Sequence, residues 1–499
     1  MNDEGSPVAN QETSIDDEEE ADLQTEALTS PSPSSPDHKD GDEPSLTYRE
    51  HVSHILAITG PIVMAEIFQN TLPIVDIAFV GNLPGKNDLA AAALATVWFN
   101  LWNTTMMGFM TAVDTYLAQS FGAKEFQSFS MWTGNSMIIC AVATIFISGL
   151  CALCEPCMVL FGQDPDLAAA AGQFAYRLIP GLIPYYAFKV LTKYLQTQNI
   201  LAPGVFIGIV ANGFNVLANY LFIYKFGMGL NGAPWATTLT RVAEFILIAA
   251  YIRWRKPQLI DTFPSFSLAN LRFSTIKPFV RLAFSGAISF ACEAWSFEIT
   301  TILAGLLGTT ALDAHVITLS IATFIYLSFP FAVGIATSIR VGQLIGDGCG
   351  GDAKRSCLVS YGVNFILSSV LLAALFPCSQ LLGDFFSSDD EVSELVAALI
   401  PVSCIFMLGD AFSANTGGVM RGLGRQNLVL LMNILAFWVL AIPIGAVLTF
   451  TAGIGVRGLW IGFSIGIYTA AFIGILFLKM RVNWTDESAK SRLRVSVIP

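Results

Sequence analysis

Carboxylates set inside apolar stretches are the residues of this chain with the most chemistry to offer. Near 54–80, Glu66, Gln69, Pro73 and Asp76 fall at offsets of three, seven and ten, which puts them on one helical face. Near 200–224, Asn215 and Asn219 stand at i and i+4 and either complete a polar site with that face or bond between helices. The run Cys292-Glu293-Ala294-Trp295-Ser296-Phe297-Glu298 holds two acids five apart, about 140° around an ideal helix. Asp410, beside Ala411 and Phe412, is a further acid of this kind. An acid at bilayer depth costs about 2.5–3.5 kcal/mol on insertion scales, so each one requires an explanation. No base lies between Arg281 and Arg340 to neutralise Glu293 or Glu298. An unpaired carboxylate there holds either a proton or a cationic substrate but not both, which is what an ion-coupled carrier needs. Glu293, Glu298, Asp410 and Asp76 are therefore the expected proton-coupling and substrate residues, with Glu66, Gln69, Asn215 and Asn219 a secondary polar site.

The remaining polar groups point elsewhere. Arg241 and Glu244, three apart, read as an internal ion pair, and Asp114 and Gln119 as anchors near a span end. Cys151, Cys154 and Cys157 form CxxCxxC, but with no His nearby they read as packing and no metal is expected. The Gly-rich stretch 346–351 lacks the Lys-Ser/Thr ending of a phosphate cradle, and no nucleophile stands with a base. Neither ATP-driven transport nor an enzyme is expected, and no cofactor.

Membrane helices must position those acids. The chain has 499 residues, 54% hydrophobic and 13% charged, with a mean hydropathy of +0.61. Soluble domains carry roughly 25% charged residues, so an all-α integral membrane protein is expected. The formal net charge of -12 is misleading, because residues 1–50 hold fifteen acids against Lys39 and Arg49. With its Ser-Pro run at 30–36 that segment reads as a disordered acidic tail, and the body is nearly neutral. About twelve apolar spans follow, near 54–80, 90–119, 131–155, 167–188, 200–224, 233–252, 277–306, 313–339, 357–382, 392–414, 427–450 and 457–479. Odd-numbered loops carry only Lys86, Lys225 and Arg457, whereas the even loops and tails hold 21 bases, which puts both termini in the cytosol. Nucleic acid is not an expected partner of so acidic a tail and such dispersed bases.

A repeat with a spacing near 225 links the halves: Gln119 and Gly122 recur as Gln343 and Gly346, Gln198-Asn199 as Gln426-Asn427, and Gly229 and Gly232 as Gly455 and Gly458. Six spans per repeat make it parallel, so two six-helix lobes are expected, 51–256 and 277–480, joined by a linker at 257–276 and followed by a tail at 481–499.

Phe79-Val80-Gly81-Asn82-Leu83, Asp114-Thr115 with Gln119-Ser120-Phe121-Gly122-Ala123, and Gly229-Leu230-Asn231-Gly232-Ala233 resemble motifs of the multidrug and toxic compound extrusion (MATE) family. Glu293 to Glu298, Ser338-Ile339-Arg340-Val341-Gly342 and Gly417-Gly418-Val419-Met420-Arg421-Gly422 look like its eukaryotic branch. The resemblance covers about 50–480. It implies a twelve-helix antiporter that exports organic compounds by alternating access in exchange for protons, or for sodium in some members. It also implies that Glu293, Glu298 and Asp410 match the acids of eukaryotic members, Asp410 being shorter than the mammalian Glu, and that Asp76 matches the first-helix acid of bacterial ones. A monomer in the plasma or vacuolar membrane is expected, with a small organic substrate. Sodium coupling or an organic-acid substrate on the same fold is the alternative, and a non-transporting scaffold or receptor is the reading from another class.

Overall fold

A computed structural model describes residues 46–83, 86–266, 271–387 and 389–496. The acidic segment up to residue 45 lies outside them. Thr47 opens the first helix with a reciprocal cap: its hydroxyl accepts from the Glu50 amide, and the Glu50 carboxylate accepts from the Thr47 amide at 2.7 Å. The helix therefore starts at Tyr48, inside the segment read from sequence as tail.

The first half runs through α1 (Tyr48–Gly81), α2 (Lys86–Phe109), α3 (Thr111–Gly122), α4 (Phe126–Ala152), α5 (Cys154–Leu160), α6 (Pro165–Leu178), α7 (Leu182–Thr197), α8 (Ala202–Asn219) and α9 (Gly232–Trp254). The second half runs through α10 (Phe273–Gly305), α11 (Thr309–Ser328), α12 (Pro330–Asp347), α13 (Gly350–Leu375), α14 (Ser379–Phe386), α15 (Asp390–Leu423), α16 (Gln426–Asn433), α17 (Ile442–Ala446) and α18 (Arg457–Met480). A last helix, α19 (Trp484–Val495), follows them. No strand occurs among the described residues.

Ten helical stretches of the described residues are long and apolar enough to cross a membrane. The other two expected spans are helical but broken: α2 yields to α3 at Met110, and α6 passes to α7 through a tight turn at Ile179–Gly181 that contains Pro180. Pro330 likewise ends α11 and starts α12, because its ring cannot follow a helical residue without displacing it. Each half has its own apolar core, one built around Trp132, Tyr186 and Phe129 and the other around Trp460, Phe406 and Phe463.

The halves meet in a seam with the symmetry of the repeat. Gln119 Nε2 donates to the Gly422 carbonyl at 2.8 Å, and Gln343 Nε2 donates to the Thr197 carbonyl at 2.7 Å. Gly122 lies against the Gln343 backbone and Gly346 against that of Gln119, so closely that a Cβ on either glycine would overlap the facing carbonyl. Thr115 Oγ1 adds a bond to the Arg421 carbonyl at 2.6 Å. This seam lies on the face where both described chain ends sit, since Leu46 N donates to Asp352 Oδ2 and Arg492 Nη2 to the Asp347 carbonyl.

Several bases counted from sequence as loop residues belong to helices. Lys189 and Lys193 lie in α7, Arg340 in α12, and Arg421 in the last turn of α15 with 4% exposure. Helices extended past their apolar windows because caps, not hydropathy, end them: α15 stops at Gly424, whose φ of 71° suits only glycine without strain. The charge bias survives without those four residues.

Candidate coupling and substrate site

Two carboxylate sites emerge, one in each half. In the first, Asp76 Oδ1 accepts from Asn219 Nδ2 at 2.7 Å and from Asn215 Nδ2 at 3.2 Å, while Thr237 Oγ1 bonds Oδ2. The i, i+4 asparagines of α8 thus meet the acid of α1, and α9 supplies a third partner. Gln69 reaches past them to Glu244 Oε1 at 2.5 Å. The pairs 69/244 and 76/237 run in opposite directions along α1 and α9, so the two helices touch antiparallel over two turns. Arg241 forms no ion pair with Glu244. Its guanidinium instead covers the rings of Phe99 and Tyr185, 4.9 and 4.8 Å from their centroids. Glu66 does not join the asparagines, and its charge acts on buried Lys189.

In the second half, Glu293 of α10 receives a bond of 3.4 Å from Asn433 Nδ2, which also donates to the Ser289 carbonyl at 3.2 Å. Asp410 of α15 is 5% exposed, and its charge and that of Glu293 act on each other. Arg421, eleven residues on from Asp410 along α15, acts on Glu293 as well, and Tyr326 feels all three. Arg421 forms no ion pair with either acid: it lies 5.6 Å from the Phe331 centroid, and its Nη2 has no hydrogen-bond partner. Glu298 is half-buried and makes no hydrogen bond or ion pair among the described residues. The two sites share one device. Asn219 is followed by a π-wound segment, Tyr220–Lys225, and Asn433 by another, Ile434–Ala441, so each acid's amide partner stands where the helix changes winding.

Sequence reasoning missed Thr237, Asn433 and Arg421. Asn433 carried the signal used for Asn215, an amide inside an apolar span, whereas Thr237 carried none. Trp98 and Trp102 pack edge to face within the first core, and Trp98 Nε1 bonds the Leu150 carbonyl. Trp295 is 39% exposed and Tyr326 lies beside the second acid site. Asp114 is paired with Lys193 at 2.5 Å, an ion pair between α3 and α7. Cys151 and Cys154 are buried in helix packing.

The family model MatE matches the chain twice, at residues 61–221 and again at 286–447. The chain belongs to the MatE family. The second match is displaced from the first by the spacing of the internal repeat, so each half carries one MatE unit. Among similar curated proteins, multidrug and toxin extrusion protein 2 of Mus musculus is 31% identical over 90% of this chain and 78% of its own length. Protein DETOXIFICATION 16 of Arabidopsis thaliana is 29% identical over 90% of this chain and 91% of its own. The crystal structure of the eukaryotic MATE transporter AtDTX14 superposes with a TM-score of 0.84 and 25% identity, covering 90% of this chain and 99% of that one. An outward-facing MATE structure of the MOP superfamily, 18% identical with a TM-score of 0.78 over 90% of this chain and all of the other, shares the fold. The MatE chain is a multi-pass membrane transporter and not an enzyme.

Proposed function

We propose that this MatE protein exports organic compounds, cationic or amphipathic, in exchange for protons, by alternating access between lobes 51–256 and 277–480. The observation that carries this reading is the charge balance of the second site. Glu293 and Asp410 act on each other, and the one guanidinium that acts on the pair, that of Arg421, does so through Glu293. With both acids ionised, one negative charge is left over in a region that tolerates none unpaired. One proton or one monovalent organic cation satisfies it, and entry of either displaces the other. The base-rich face carrying both termini is cytosolic on this reading. Its closed seam leaves substrate to depart on the opposite side, outside the cell or into the vacuole. Glu298 and Trp295 extend the same helix toward that side as substrate contacts.

The test is uptake into proteoliposomes under an imposed pH gradient. Glu293→Gln is expected to lose pH-driven flux, and a variant that transports as well as the parent would refute the mechanism. A sodium-coupled reading draws support from the first site, where the buried Asn219 Oδ1 has no hydrogen-bond partner beside the Asp76 carboxylate. That is an oxygen set suited to a hard cation. Flux that ignores pH and follows sodium would favour it.

A further inference from the structure

The two lobes are joined on the termini face by more than the seam, because α19 bonds to both. On the first half, Arg494 Nη1 donates to Gln119 Oε1 at 2.6 Å, and the Val495 carbonyl accepts from Ser128 Oγ at 2.8 Å. On the second, Glu487 accepts from Arg425 Nη2 at 2.5 Å and from Arg425 Nε at 3.2 Å, Arg492 reaches the Asp347 carbonyl, and Arg494 reaches the Leu423 carbonyl at 3.4 Å. The backbone has been left bare to receive it. A Cβ at Gly424 would overlap the Arg494 guanidinium, one at Gly348 would overlap that of Arg492, and one at Gly350 would meet the Trp484 carbonyl. Gln119 is also the seam residue that bonds Gly422 across the lobes, so one side chain carries both the seam and the helix.

The corresponding segment of the first repeat does something different. The linker after α9 stays with its own half: Ser265 N donates to the Ser130 carbonyl at 3.2 Å, and Thr262 Oγ1 to Gln198 Oε1 at 2.9 Å. The repeat therefore does not account for a cross-lobe role of α19, which breaks the symmetry of the termini face.

We propose that α19 is a strap across the two lobes that holds the termini face closed, and that opening on this face during transport requires its release from Gln119 and Ser128. Three charge-assisted contacts, through Arg494, Arg492 and the Arg425–Glu487 pair, set the closed state, and α19 stays with the second half when the first half moves away. The strap rests on the alternating-access reading, but its test needs neither substrate nor gradient, so it can fail while proton coupling stands.

The test places a cysteine at the seam, Thr115→Cys, in the full chain. Thr115 is fully buried there, so a water-soluble maleimide reports opening, with the modified peptide identified by mass spectrometry. Arg494→Gln and Arg425→Glu are each expected to raise the labelling rate about tenfold, the equilibrium change that accompanies loss of a charge-assisted bond. The double exchange Arg425→Glu with Glu487→Arg, which rebuilds the pair with reversed charge, should return labelling to the parent rate. Labelling unchanged by both single substitutions would overturn the strap, as would a rise that the double exchange fails to reverse. If the single variants do not fold, the double exchange decides: protection as in the parent supports the strap, and exposure refutes it.

Discussion

Asp76 and Glu293 are both half-buried acids in membrane helices, yet their surroundings ask different things of them. Asp76 has three side-chain donors, so its charge is satisfied where it sits. Glu293 has one bond, at 3.4 Å, and a second acid as neighbour. Asp76→Asn is accordingly expected to keep pH-driven uptake while costing about 2 kcal/mol of stability, the worth of hydrogen bonds to a charged group. Thermal unfolding of the purified variant measures the cost, and loss of proton-driven flux would move coupling to the first lobe. Arg421→Gln should act oppositely on binding. Removing the guanidinium that acts on Glu293 leaves the site more negative, and a monovalent organic cation should bind roughly tenfold tighter, as measured by calorimetry, if the charges interact at an effective dielectric of about 20. The face of Gln69 and Asp76, and the approach of Asn215 and Asn219 to it, were legible because each rests on one helix's periodicity. The charge interaction of Glu293 with Asp410 was not, because it depends on where the tertiary fold sets α10 relative to α15, about which spacing says nothing.

At the scale of elements, close contact and end capping decide what the helices can do. Gly108 of α2 and Gly286 of α10 lie carbonyl against Cα, so a Cβ on either would overlap the other helix's backbone. Gly286→Ala should cost about 1–3 kcal/mol through overpacking, visible as a lower melting temperature, and should loosen the lobe contact. The strap has a pH window of its own. Burial would raise the Glu487 carboxyl, but the bonds and charges of Arg425 and Lys490 outweigh it and hold the group below the usual glutamate range. A depressed acid contributes stability above its unfolded value and loses it as pH falls through the folded one. Seam protection at Thr115→Cys should therefore be constant from neutral pH down to about 5 and fail only below the ordinary glutamate value of about 4.3. Labelling that rises between pH 7 and 6 would assign the transition to another group. Helix ends were the least legible elements. Arg421 and Lys193 looked like loop charges because hydropathy stops before them, while the helix continues until a left-handed residue turns the chain, Gly424 after Arg421 and Asn199 after Lys193.

For the whole molecule, the charge bias and the even number of passes make one prediction about orientation. Epitopes added at either terminus should be reached by antibody only after cells are permeabilised, and labelling of intact cells would reverse the assignment. The twofold seam makes another. Gln119 and Gln343 play equivalent parts, so Gln343→Ala and Gln119→Ala should loosen the seam by similar amounts, except that loss of Gln119 also frees Arg494. Maleimide labelling at position 115 should therefore rise further in Gln119→Ala, and equal rates would show that the strap adds nothing to the seam.

Composition, period and spacing by themselves determined the membrane, the helices, the duplication and the short list of acids, because each is a property of one segment or of two segments compared. The tertiary structure decided which acid meets which. It put three donors on Asp76 and one on Glu293, set Arg421 beside the second site, left Glu298 apart from it, and laid the last helix across both lobes. Those outcomes depend on the packing of helices far apart in the chain, and a buried charge takes its role from whatever that packing brings within a few ångströms of it.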